Sequence, residues 1–285
     1  MSLATNEFQE ILGAEMYVDM DELVEASRRG IPEEVRGTVW KYLLHVSSPD
    51  KSEVHSHVKK LGEEYASFEK SNPEVSRVIK AEMARYNRDS RAGRFFSQPN
   101  VRNKIEHILV AYFSSHPDLE FAGGFVHLVA PFVSTISKEY EIYFCFASLM
   151  KYLEGSVLDP DSLNERLANF MMLFRSTQPE LVNYFEEEEL YPNEWAPSWL
   201  QFLLARELPL ACILRLLDTY FTNENFLDLH MYVCLAILEI SKETLMELEY
   251  SEIKGYLSSL PELDMHRVII QAINLREEIK SRDLL

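Results

Sequence analysis

Four arginines recur at intervals of three residues in one segment of the chain: Arg85, Arg88, Arg91 and Arg94. A guanidinium group is permanently charged and planar, and its geometry matches that of phosphate oxygens. The chain as a whole is acidic, with 46 Asp and Glu against 28 Lys and Arg and a formal net charge of −18. The segment is therefore a local positive patch, suited to a nucleotide phosphate or an acidic protein surface. The alternative is an ordinary solvated helix face.

Signatures of independent catalysis are missing from the sequence. It contains no Walker A sequence, no G-x-S-x-G, no H-E-x-x-H and no C-x-x-C. His55 and His57 are two residues apart, a spacing that does not place both on one helix face, so a metal site is not expected there. The three cysteines each lie in an apolar run, which is typical of buried reduced thiols.

The elements that must position the arginines are predicted to be helices. Only 9 of 285 residues are glycine, so few turns with positive φ are expected. Apolar residues recur at helical spacing in most segments, and breakers such as Asn72-Pro73 and Asp159-Pro160 separate them. The sequence predicts an all-α protein of a dozen or more helices in one continuous domain. Met171 and Met172 are expected in the core, and Ile269, Ile273 and Arg276 on one face of a closing helix.

Composition also bounds the partners and the compartment. An excess of acid repels nucleic acid, so DNA or RNA is not an expected partner. The N-terminal residues lack a basic segment followed by an apolar core, and the longest apolar stretch, 121–133, is short for a membrane span and contains a histidine. We expect a cytoplasmic protein with no integral membrane association.

Several segments, read in order, resemble the TBC domain, the fold of Rab GTPase-activating proteins. The first is a glycine-isoleucine-proline turn followed by Arg36-Gly37 and by Trp40, four residues after the arginine. The second, Ile79–Arg85, resembles the I-x-x-D-x-x-R motif of that family with Glu82 in place of Asp, and the third, Phe121–Gly124, falls where the family carries Y-x-Q-G. Later motif blocks of the family resemble the segments around Trp199 and Asp218. The resemblance runs from about residue 29 to 237, which implies a 1–28 helical extension and a 29–285 TBC domain ending in a helix at about 263–283.

The resemblance implies a mechanism. TBC domains donate an arginine finger and a glutamine finger to the GTP site of a Rab GTPase, which itself carries the GTP and Mg²⁺. By motif position Arg85 resembles the arginine finger, and Glu82, one turn earlier on the same helix face, is placed to orient it. Arg88 is a rival finger, because the stretch from Arg85 to Gly123 is about three residues longer than the family pattern. We therefore expect no cofactor of the chain's own, and a regulator of a partner's hydrolysis instead of an enzyme with its own substrate.

The departures from the family pattern fall on the second finger. Gly123 stands where the glutamine is expected, and Phe121 replaces the tyrosine and so lacks its hydroxyl. The sequence therefore predicts weak or atypical stimulation of GTP hydrolysis. The alternative function is a TBC fold that binds a GTPase or a scaffold without accelerating hydrolysis. The alternative explanation for Gly123-Gly124 is close helix packing. Arg88, Arg91, Phe121 and Gly124 are expected to face the partner, a GTP-bound Rab, with peripheral recruitment to endomembranes. Arg36, Trp40, Trp199 and Asp218 are expected to be structural, with Arg36 paired to an acidic residue.

Overall fold

The computed structural model describes residues 3–85 and 91–281, and the regular structure of these residues is helical. The prediction of an all-α protein is confirmed, since one 3-10 turn at Pro192–Glu194 and an isolated bridge between Tyr17 and Asp50 are the non-α features of the described residues. The α-helices are α1 (Leu3–Gly13), α2 (Met20–Ser27), α3 (Glu33–Leu43), α4 (Val54–Ser67), α5 (Pro73–Ala84), α6 (Arg91–Phe96), α7 (Pro99–Ser115), α8 (Gly124–Thr135), α9 (Glu139–Glu154), α10 (Pro160–Thr177), α11 (Pro179–Glu187), α12 (Ala196–Gln201), α13 (Leu210–Tyr220), α14 (Phe226–Leu245), α15 (Tyr250–Ser258) and α16 (Met265–Ser281).

The helix starts follow from the breakers in the sequence. The Asn72 side chain accepts a hydrogen bond from the Val75 amide, and Pro73 takes the first position of α5, where an amide hydrogen is not needed. Asp159 caps α10 in the same way through the Ser162 amide. These two helices therefore begin where a side chain satisfies one of their free amides, and α5 ends at the arginine segment.

Contact density divides the described residues into two compact units. Unit 1 consists of the residues up to Lys151 together with Leu217–Thr222, and unit 2 consists of Tyr152–Leu216 and the residues from Asn223 onward. In unit 2, α14 and α16 pack together, and aromatic rings of α10, α11 and α12 surround Trp195. All the residues of the arginine-bearing motif belong to unit 1.

Helix α8 is the buried centre of unit 1, with every residue from Gly124 to Val133 buried. Helix α3 crosses its C-terminal end at Gly37, where an added Cβ would collide with the backbone carbonyl of Thr135. Glycine at this position thus lets α3 and α8 approach closely. Helices α5 and α7 also pack against α8, which brings the end of α5 to the start of α8.

Two core assignments were wrong by one residue. Met172 is 47% exposed, and the buried residue beside it is Leu173. Ile273 is 37% exposed, because α16 buries Ile269, Ala272 and Leu275 instead. The three cysteines are free and buried, which confirms their interpretation. Among the described residues, no helix combines the length and apolar character needed to cross a membrane.

Candidate functional site

Arg85 lies at the C-terminal end of α5 and is held by a carboxylate one turn before it. Its Nη1 lies 2.9 Å from Oε2 of Glu82. The Glu82 side chain is 4% exposed and that of Arg85 is 67% exposed. A cation is also favoured at the C-terminal end of a helix, where backbone carbonyls concentrate negative charge. The guanidinium is thus anchored at a buried carboxylate and still open to a partner, although its role as a finger stays a prediction.

Gly123 precedes the first residue of α8 and directly faces Glu82. Its backbone has ordinary helical angles, φ −58° and ψ −27°, so the conformation itself does not call for glycine. A Cβ built at this position would lie 2.7 Å from both Cδ and Oε2 of Glu82. Carbon atoms that are not bonded rest at about 3.5–4.0 Å, so the Glu82 carboxylate already fills this space. The crowding comes from a side chain of α5.

A third residue, His127, completes this cluster and was not singled out by the sequence analysis. Its Nε2 lies 3.6 Å from Oε1 of Glu82, and its side chain is 6% exposed. The ring of Phe96 packs edge-on against the imidazole at 5.4 Å. His127 follows Gly123 by four residues, so the two share a face of α8. That spacing was the signal available in the sequence.

The residues next to Gly123 pack into unit 1. The ring of Phe121 lies 5.1 Å from that of Phe113 in an edge-on contact, and 6.1 Å from that of Phe125. Phe121 is half-buried, and Gly124 is the buried first residue of α8. Phe121 is therefore partly accessible, while Gly124 is buried. A contact of either residue with a partner stays a prediction.

The other arginines of the segment are only partly described. Arg88 lies outside the described residues, so its rivalry with Arg85 stays open. Arg91 is the first residue of α6, and Arg94 is exposed in its last turn. Gln98, exposed immediately before α7, belongs to the same stretch of chain.

A second arginine–carboxylate cluster lies in the core of unit 1. Arg36 Nε lies 3.1 Å from Oδ1 of Asp218. Oδ1 also accepts a hydrogen bond from Nε1 of Trp40 at 2.9 Å, and Oδ2 accepts one from the backbone amide of Ile31 at 3.0 Å. Asp218 and Trp40 are fully buried, and Arg36 is 13% exposed. Asp218 is thus the acidic partner that the sequence analysis left unnamed for Arg36.

The electrostatics of Asp218 reflect two opposing effects. Burial raises the pKa of the Asp218 carboxyl, because an apolar environment disfavours the charged form. The Arg36 charge and the hydrogen bonds from Arg36, Ile31 and Trp40 act in the opposite direction. This carboxylate depends on its three donors, and the cluster joins α3 to the turn before it and to α13.

Trp199, the remaining motif tryptophan, lies in the core of unit 2. It is 1% exposed, and its Nε1 donates a hydrogen bond to the Leu257 carbonyl at 2.9 Å. Its own carbonyl is 2.8 Å from Nε2 of His230, whose pKa is lowered to about 4 by burial. The position agrees with a structural role.

Comparison with known proteins places this geometry in context. Residues 33–246 match the model of the Rab-GTPase-TBC domain. The GTPase-activating protein gyp1 of Schizosaccharomyces pombe is 26% identical over 90% of this chain and 57% of its own length. Human TBC1 domain family member 22B is 26% identical over 89% of this chain and 56% of its own length. The crystal structure of the Ypt/Rab-GAP domain of Gyp1p superposes with a TM-score of 0.82 at 20% identity, covering 98% of both chains. This chain therefore spans little more than half the length of these two curated relatives.

Proposed function

This chain belongs to the Rab-GTPase-TBC domain family, and we propose that it is a GTPase-activating protein for a Rab-family small GTPase in the GTP-bound form. The observation that carries the proposal is the exposed Arg85 guanidinium, anchored 2.9 Å from the buried Glu82 carboxylate. The names of its relatives, a GTPase-activating protein and a TBC1 domain family member, support the same function. A Rab partner would bring the chain to the membranes of vesicle traffic.

The chemistry assigned to Arg85 is stabilisation of charge. GTP hydrolysis is limited by negative charge on the transferred phosphoryl group and by placement of the attacking water. An arginine supplied in trans neutralises that charge and accelerates hydrolysis by about 10³–10⁵-fold. GTP and Mg²⁺ belong to the GTPase, so the chain supplies a side chain and no cofactor.

The second requirement, placement of the water, is not met by residue 123. Gly123 has no side chain, and the Glu82 carboxylate is buried at the base of the space that such a side chain would occupy. We propose that water placement falls to the glutamine of the GTPase itself, as in GTPases that use their own glutamine for this step. Stimulation is then weaker than with two fingers and depends on the partner.

A hydrolysis screen tests this function. The chain is mixed with GTP-loaded Rab proteins, and phosphate release is followed in a single turnover. At least one Rab should be stimulated, and Arg85→Ala should lower that stimulation about 10³-fold. Arg85→Lys should recover little of it, because lysine lacks the planar fork. Arg77→Ala is the matched control, since Arg77 is exposed on the same helix and should keep full stimulation.

Two results would contradict parts of this proposal. A Rab panel with no stimulation at high concentration of the chain would exclude the activating function. Stimulation that survives Arg85→Ala but is lost in Arg88→Ala would move the finger to Arg88.

The loss of the carboxamide at Gly123 and of the hydroxyl at Phe121 favours a second candidate function. In it, the TBC fold binds a small GTPase or a larger scaffold and does not accelerate hydrolysis. Binding should then distinguish the GTP-bound from the GDP-bound form with no change in turnover. The double variant Arg85→Ala/Arg88→Ala should still bind in this case, whereas an activator should lose its effect.

A further inference from the structure

The Glu82 carboxylate occupies the place where a side chain on residue 123 would begin. An added Cβ at residue 123 would be 2.7 Å from Cδ, 2.7 Å from Oε2 and 3.1 Å from Oε1 of Glu82. All three end atoms of the glutamate are thus inside contact distance of that Cβ. Aspartate at residue 82 is shorter by one C–C bond, about 1.5 Å, and would hold its carboxylate farther from this Cβ.

The Glu82 carboxylate is buried and has charged or polar neighbours on two sides. It is 4% exposed, Arg85 lies 2.9 Å from Oε2, and His127 lies 3.6 Å from Oε1. A shift of the carboxylate that makes room for a Cβ at residue 123 therefore also changes its contacts with Arg85 and His127. A buried carboxylate that loses such partners is destabilised.

We propose that Glu82 and Gly123 are a size-matched pair that excludes any side chain at residue 123 and sets the position of Arg85. Glu82 is in this view a positioning residue, and it acts through Arg85. The catalytic part of this inference rests on the proposed function; the steric part does not. The site then supplies Arg85 and no glutamine, and its partner is a GTPase that keeps its own water-placing glutamine. Restoring glutamine at residue 123 alone should damage the site, because the new Cβ displaces the carboxylate that anchors Arg85.

The steric part is tested by thermal unfolding of four proteins: wild type, Gly123→Ala, Glu82→Asp and the double variant. Overpacking a filled site is destabilising, so Gly123→Ala should lower the Tm by roughly 2–5 °C. In the Glu82→Asp background the same alanine should change the Tm by less than about 1 °C, because the shorter carboxylate leaves room. Gly62→Ala is the control, since a Cβ there meets nothing within 4 Å. Additive Tm changes in the four proteins would overturn the pairing.

The positioning part is tested on a Rab that responds to the wild type. Gly123→Gln alone should lower stimulation at least about tenfold, and Glu82→Asp/Gly123→Gln should recover most of that loss, because the shorter carboxylate leaves room for the new side chain. The double variant should also stimulate a Rab variant that lacks its own water-placing glutamine, which the wild type should not. Full activity of Gly123→Gln alone would overturn the positioning role. If no Rab responds to the wild type, the proposed function fails while the Tm cycle still decides the pair.

Discussion

Two of the arginine–carboxylate pairs in unit 1, Arg36–Asp218 and Arg85–Glu82, have opposite characters. In both, the carboxylate is buried: Asp218 is fully buried and Glu82 is 4% exposed. The guanidinium groups differ, with Arg36 13% exposed and Arg85 67% exposed. The same type of ion pair is therefore enclosed in the core at Arg36 and exposes its cation to solvent at Arg85, at the end of α5.

The difference follows from what each pair connects. Asp218 is 182 residues from Arg36 in the chain, and its oxygens also accept hydrogen bonds from Trp40 and from the Ile31 amide. Such a carboxylate fixes tertiary structure. Glu82 and Arg85 are three residues apart in the sequence, so their ion pair does not connect distant parts of the chain. A local pair leaves the guanidinium available for an intermolecular contact.

The largest effect is expected from Asp218→Ala. Removing this carboxylate leaves the buried Ile31 amide and Trp40 indole, and the mostly buried Arg36 Nε, without their acceptor. Breaking a buried ion pair costs about 3–5 kcal/mol. The free energy of unfolding from urea denaturation should fall by that amount. Asp21→Ala, an exposed aspartate of α2, is the control and should change it by less than about 0.5 kcal/mol. A similarly small change for Asp218→Ala would show that the closed cluster does not stabilise unit 1.

Trp40→Phe tests the Asp218 cluster by removing one of the donors to its carboxylate, the indole Nε1. The Trp40 ring makes edge-on contacts with Phe132 at 5.6 Å and Phe221 at 5.2 Å, and phenylalanine keeps part of these. The lost hydrogen bond to the Asp218 carboxylate should cost about 2–3 kcal/mol in the free energy of unfolding, because a bond to a charged group is stronger than a neutral one. A cost equal to that of Asp218→Ala would mean that Trp40 alone carries the cluster.

How much of these two pairs the sequence could predict depends on chain distance. The Glu82–Arg85 spacing predicted a shared helix face, and the contact is there. The helices around it were predictable because breakers such as Asn72-Pro73 act locally. The pairing of Gly123 with Glu82 joins residues 41 positions apart, and no local rule identifies it. Met172, which was predicted to be in the core, shows the limit of periodicity. A helix has 3.6 residues per turn, so a small error in phase exchanges buried and exposed neighbours.

A buried carboxylate of unit 2, that of Glu207, shows how burial changes a pKa where no enclosed guanidinium pairs with the carboxylate. Glu207 is 6% exposed and accepts a hydrogen bond from the Ser198 hydroxyl at 2.5 Å. Burial raises its pKa to about 7. The folded state then binds more protons than the unfolded state between about pH 4.5 and 7. The stabilisation from this group is complete below that window and is lost as pH rises through it.

Glu207→Gln tests that sign. His230 acts in the opposite direction, because its pKa is lowered to about 4, so its contribution to stability grows as pH rises from about 4 to 6.5. Comparing the variant with the wild type isolates Glu207. The difference in unfolding free energy, variant minus wild type, should rise by about 2 kcal/mol between pH 5 and 7 in urea denaturation. A difference independent of pH would show that Glu207 is ionised across this range.

The smallest effect on stability is expected where the effect on function is expected to be largest. Arg85→Ala removes a guanidinium that is 67% exposed from a carboxylate that is 4% exposed, so the cost in unfolding free energy should lie between that of an exposed pair and that of a closed pair, at about 1–2 kcal/mol. Glu82 keeps His127 within 3.6 Å, so the carboxylate is not isolated. Arg36→Ala is the matched variant, because it removes the same group from a closed pair and should cost about 3–5 kcal/mol. Urea denaturation of the two variants, measured side by side, separates the two roles. Equal losses in the free energy of unfolding would make Arg85 a structural residue. A smaller loss for Arg85→Ala would show that the fold does not depend on this guanidinium, as expected for a group that acts on a partner.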